Sequence, residues 1–148
     1  MPKLTLRKDV VNDNGGTIAE SAFTLRAVGP VTIQGVMGAA AITNVTVPVG
    51  TYTLSETGRT DYQESQYACS INGQADVIGN TIALANGQQA VCTITNDDIG
   101  PRLTLRARVV NDNGGTGDAG DMILSATGPV SISGPTGSAQ VTNAPVSV

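Results

Sequence analysis

The sequence predicts an all-β chain, folded as an antiparallel two-sheet sandwich and used in tandem. Three observations lead there. Apolar and polar side chains alternate with period two along most of the chain. Turn signals rich in Gly, Asn and Pro cut that alternation into short runs. The chain also repeats itself: Pro2–Val49 lies over Pro101–Val148 without a gap, and about half the positions are identical. Val10–Thr17 returns letter for letter at Val109–Thr116. A period this long duplicates a whole domain rather than one turn of a solenoid. Residues 2–98 therefore read as one complete sandwich repeat, 99–101 as a short linker stiffened by Pro101, and 102–148 as the first half of a second, incomplete repeat.

The elements follow in order. In the first strand Leu4, Leu6, Lys8 and Val10 share one face, with Thr5, Arg7 and Asp9 on the other. Asn12-Asp13-Asn14-Gly15-Gly16 predicts a hairpin turn, because Asn-Gly supplies positive φ readily. Strands are expected over Ser21–Val28, Val31–Val36 and Ala40–Val47, then Thr51–Glu56, Tyr67–Ile71, Val77–Leu84 and Gln89–Thr95. No run carries a helical period. About eight short strands at this spacing suit a sandwich.

Composition narrows the function. Charged residues are 14% of the chain and the net charge is −4, so the clustered Lys and Arg of a nucleic-acid surface are missing. No apolar run reaches membrane-spanning length, and no apolar leader precedes the first strand. The chain has no His, and its Ser, Asp and Glu are dispersed, which gives no nucleophile–base constellation and no cofactor motif. Four aromatics are too few for a sugar- or base-stacking platform. Two cysteines, Cys69 and Cys92, fall in neighbouring expected strands of the complete copy. With no His beside them they read as a disulfide, and so as an oxidising, extracellular compartment. Asn12–Gly16 lacks the spaced carboxylates of a calcium loop. Asp97 and Asp98 at the junction are weak candidates for an ion, with plain solvation preferred.

Three segments carry a resemblance: Leu4-Thr5-Leu6-Arg7-Lys8 opening the repeat, Gly50-Thr51-Tyr52-Thr53-Leu54-Ser55-Glu56 in its middle, and Cys92-Thr93-Ile94-Thr95-Asn96-Asp97 closing it. Together they resemble the SpaA-like, or Cna protein B-type, prealbumin-like repeats of bacterial surface proteins. The resemblance implies a transthyretin-like or reversed immunoglobulin sandwich in a cell-surface protein or extracellular filament. Its partners would be neighbouring copies of itself. A host or matrix ligand held by loops such as Arg59–Ser65 is the alternative.

The resemblance also implies an autocatalytic isopeptide bond between a first-strand Lys and a last-strand Asn, with a Glu as proton shuttle. By position these are Lys8, Asn96 and Glu56. The alternation agrees, since each lies on the face of its strand that carries apolar neighbours. A plain buried ion pair of Lys8 and Glu56, with Asn96 as hydrogen-bond partner, is the preferred reading at this point. Ala107 stands at the place of Lys8 in the second copy, and the cysteine pair already offers a brace.

Overall fold

The alternation of residues 3–11 becomes the strand around which the first unit is organised. The computed structural model describes residues 1–148 and falls into two compact units, Met1–Asp98 and Ile99–Val148. Ten strands build the first: β1 (Lys3–Val11), β2 (Thr24–Val28), β3 (Thr32–Val36), β4 (Val45–Thr46), β5 (Gly50–Glu56), β6 (Tyr62–Glu64), β7 (Ala68–Ile71), β8 (Val77–Ile78), β9 (Thr81–Leu84) and β10 (Gln89–Asp98). One sheet has the order β4-β1-β10-β7-β8, with β6 also paired to β10, and the other the order β3-β2-β5-β9. Leu4, Leu6, Ala90, Cys92 and Ile94 of the first sheet share one buried cluster with Leu25, Ala27, Tyr52, Leu54, Ile82 and Leu84 of the second. The sandwich is as the alternation predicts.

Not every ladder is antiparallel. β1 and β10 run parallel, from Lys3 opposite Gln89 to Val11 opposite Asp97. The first and last strands of the unit thus lie side by side in its centre, and each buries alternate residues. On β10 these are Ala90, Cys92, Ile94, Asn96 and Asp98.

Several expected elements differ. Asn12–Gly16 is not a hairpin turn, because β1 and β2 belong to different sheets and the loop crosses between them. The strand expected at Ala40–Val47 shrinks to β4. Ile42 is buried in a single 3-10 turn, Ala40–Ile42, and Asn44 reverses the backbone at φ 54° while its N–H donates to Thr5 Oγ1 at 2.9 Å. Val77–Leu84 divides at Gly79, whose φ of 156° lets the two halves join different sheets. The three-residue β6 is too short to announce itself in sequence.

Cys69 and Cys92 stand directly opposite each other on β7 and β10 and are joined in a disulfide. The bond closes a loop of 23 residues by sequence separation. Replacing both cysteines by Ala should lower the unfolding free energy by about 3 kcal/mol in the chain-entropy account. A urea titration would read this as a lower midpoint.

The second unit contains β11 (Arg102–Leu103), β12 (Ile123–Ala126), β13 (Ile132–Pro135) and β14 (Ala144–Pro145), in two two-stranded sheets, β11-β14 and β12-β13. Its buried apolar residues are Ile132, Val141 and Ala144. Residues 104–110, the counterpart of most of β1, form no ladder. Leu105 N–H donates to Val141 O at 2.9 Å and Ala107 N–H to Thr136 Oγ1 at 2.8 Å.

Candidate functional site

On β1 the inward alternation runs Leu4, Leu6, Lys8, so the lysine is carried into the core by the period that buries the leucines. Asn96 points to the same interior from the adjacent β10, where it lies opposite Val10. Glu56 ends β5 in the facing sheet, in register with Leu25. The fold therefore gathers three polar side chains from three strands and both sheets. Lys8 Nζ lies 3.0 Å from Glu56 Oε2, with both side chains fully buried. Asn96 Nδ2 donates to Glu56 Oε1 at 2.6 Å. The Phe23 ring closes the other side, its centroid 4.5 Å from Lys8 Nζ, and Tyr62 holds that ring edge-on at 5.9 Å.

The cluster is polar but poorly satisfied. Lys8 Nζ, Glu56 Oε2 and Asn96 Oδ1 are all buried without a well-aligned hydrogen bond, although Nζ and Oε2 are within ion-pair distance. Buried polar atoms are nearly always paired, so three such atoms together call for a chemical explanation. Burial holds the lysine below its ordinary value of 10.5, against the opposing hydrogen bond and charge of Glu56 and the weaker charges of Glu64 and Asp9. Burial thus favours the neutral, nucleophilic amine. The carboxamide that amine could attack is held by the same glutamate.

A second polar cluster sits at the end of β10. The side chain of Asp98 is buried, and its carboxylate accepts from the backbone N–H groups of Asp13 (2.9 Å), Asn14 (3.0 Å) and Gly16 (2.5 Å). Asn14 Nδ2 also donates to the Asp98 carbonyl at 3.1 Å. Successive N–H groups converging in this way form a nest for an anion. Gly16 is required for closeness rather than for φ: a Cβ there would lie 2.8 Å from Asp98 Cβ and closer still to Tyr62 Oη. Tyr62 Oη in turn donates to Asn12 Oδ1 at 2.5 Å and accepts from Ile18 N–H at 3.2 Å.

Burial pushes the Asp98 carboxyl upward, but the hydrogen bonds from Gly16, Asn14 and Asp13 together outweigh it and hold the group below the ordinary 3.8. A depressed folded-state value means that the carboxylate stabilises the fold above about pH 4, and that this contribution is lost as pH falls through the folded value. Asp98→Asn should therefore lower the urea midpoint at neutral pH and flatten its fall below pH 4, as a pH series on both proteins would show.

Of the residues singled out in sequence, Lys8, Glu56 and Asn96 come together, and Cys69 meets Cys92. Asp97 is exposed, and carboxylate oxygens of Asp13, Asp97 and Asp98 lie within 4.8 Å of one another. The oxygens of Asp98, however, are engaged by backbone amides, so its role is to anchor the loop. In the Arg59–Ser65 stretch Arg59 pairs with Asp61 at 2.9 Å, and Tyr62–Glu64 is strand β6 rather than free loop. Sequence reasoning missed Phe23 as the cover over Lys8, and missed Asp98 as the residue the repeated loop grips.

The family model described as a prealbumin-like fold domain, SpaA_2, matches residues 1–94 and, a second time, 98–148. No curated protein matches the chain. No solved structure matches it either.

Proposed function

Since the chain belongs to the SpaA_2 family of prealbumin-like fold domains, whose setting is the secreted and cell-surface proteins of bacteria, we propose that it is a structural repeat giving such a protein stiff, protease-resistant length. The family's role is structural or adhesive rather than enzymatic. The observation that carries the mechanical reading is the buried Lys8–Glu56–Asn96 cluster, which spans the first and last strands of the unit. Successive copies would then be connected through short, proline-bearing linkers such as Ile99-Gly100-Pro101.

The cluster supports a cross-link over a plain ion pair. The neutral Lys8 amine attacks the Asn96 carboxamide carbon, and a new C–N bond forms. The bond to Nδ2 breaks, and Glu56 carries a proton from the attacking nitrogen to the departing one, so that one ammonia leaves. No oxidant or cofactor is needed. The product also pairs two of the three unsatisfied atoms: Lys8 Nζ becomes an amide nitrogen whose single N–H can donate to Glu56 Oε2. Thermolysin digestion under reducing conditions tests the mechanical reading. The native chain should keep residues 1–98 intact for far longer than a Lys8→Met variant. Equal cleavage rates would remove the case for a covalently braced strut.

A further inference from the structure

Asn96 sits near the end of its ladders. Past Thr93 β10 no longer pairs with β7, its ladder with β1 stops at Val11 opposite Asp97, and on its other side only the three-residue β6 remains. What holds Asn96 against Lys8 must therefore include contacts outside the sheet. From those contacts we infer that Asp98 and Tyr62 are positioning residues for the Lys8–Asn96 cross-link: the loop Asn12–Ile18 closes on both and fixes the register in which amine meets carboxamide. This rests on the cross-link proposed above and adds which contacts aim it.

Two sets of contacts carry it. The first holds the strand that bears the carboxamide. Asp98 follows Asn96 on the inward face of β10, two residues or about 7 Å along the strand. Its carboxylate is gripped by the N–H groups of Asp13, Asn14 and Gly16, and Asn14 Nδ2 holds its carbonyl. That loop directly continues β1, the strand that bears Lys8. The clasp thus ties the amine strand to the amide strand just beyond their last rung. A slip of one residue would turn Asn96 out of the core, and a slip of two would carry it about 7 Å along the core face, away from Glu56. Either slip would break the clasp.

The second set holds the cover over the amine. Tyr62 lies opposite Asp98 on β6. Its ring meets Phe23 edge-on at 5.9 Å, and Phe23 lies 4.5 Å from Lys8 Nζ. The phenol oxygen is fixed from the same loop, donating to Asn12 Oδ1 and accepting from Ile18 N–H. The two sets meet at Gly16, where an added Cβ would lie 2.8 Å from Asp98 Cβ and crowd Tyr62 Oη. One loop therefore sets both halves of the reacting pair. Asp98 acts through the backbone of β10 and Tyr62 through Phe23, so both position the reaction without supplying its chemistry.

The test follows ammonia loss in time. The full chain is made by cell-free synthesis in an oxidising buffer with a short isotope pulse, and the intact mass of the labelled chains is read at intervals. Hydrogen exchange at Leu6 and Ile94 selects conditions in which every variant compared is folded. Asp98→Ala should slow the loss by about tenfold or more, since a misplacement near 1 Å can cost about a hundredfold. Asp98→Asn keeps one acceptor oxygen and should fall between Ala and the native chain. Tyr62→Phe keeps the ring on Phe23 and removes only the two loop bonds, so it should slow the loss while folding normally. It decides the matter if Asp98→Ala does not fold. The double variant Cys69→Ala, Cys92→Ala is the control for lost stability alone, and it should react as fast as the native chain. Asp98 and Tyr62 variants that lose ammonia at the native rate would overturn the positioning role and leave the cross-link standing. So would a control slowed as much as they are. A native chain that keeps its full mass would remove the cross-link itself, and the positioning role with it.

Discussion

The purified chain is expected to weigh one ammonia less than its sequence mass, and the deficit is expected to survive reduction. Lys8 Nζ and the Asn96 side chain meet at one glutamate, inside a core that disfavours the charged amine. Lys8→Met and Asn96→Ala should each restore the full mass and abolish the branched Lys8–Asn96 peptide in a digest map. The stability effect should be large, because the cross-link would close a loop spanning nearly the whole unit. In the chain-entropy account such a loop is worth about 4–5 kcal/mol, more than the disulfide. A full-mass native chain, with Lys8→Met unfolding at the same urea concentration, would sink the covalent reading and leave a buried ion pair braced by Cys69–Cys92.

Glu56→Ala should be at least as damaging, for a different reason. It removes the proton carrier, so the amide should not form, and it leaves Lys8 buried over the Phe23 ring without the carboxylate that pairs with it. Breaking a buried pair from one side typically costs about 3–5 kcal/mol, because the remaining charge is uncompensated. Glu56→Gln separates the two effects. It keeps the side-chain volume, and so should restore part of the stability while still failing to release ammonia. Intact mass and urea midpoints of the three proteins decide this. If Glu56→Ala still loses ammonia, the glutamate is not the carrier.

Much of this was legible in the sequence because period two is a strong signal when one face is buried. The face of β1 that carries Leu4 and Leu6 also carries Lys8, and the β10 face with Cys92 and Ile94 also carries Asn96, so the alternation placed both inside. The same reasoning extended by one more step would have found Asp98, next on that face. The composition around Asp97-Asp98 suits a solvated linker and the alternation fades after Thr95, whereas the ladder continues to Asp98. The Asn12–Gly16 loop departs from the expected hairpin turn because Asn-Gly reports only a need for positive φ. That need is met here by Gly15 in a loop that grips a distant carboxylate, an interaction 82–85 residues away along the chain. Phe23 escaped notice because a single aromatic beside a 3-10 turn has no pattern to betray what it covers. The sheet-changing break at Gly79 was visible as a turn, but its direction depended on partners that sequence order does not supply.

The parallel pairing of β1 with β10 has a consequence for how the unit bears load. Its chain enters at the Lys3 end of the ladder and leaves at the Asp98 end, so a pull on the two termini draws the strands past each other along their length. The ladder is then loaded in shear, with its hydrogen bonds strained together rather than peeled one at a time. A strand pair of this length, about 30 Å at 3.3 Å per residue, would have to fail along its whole extent in one event.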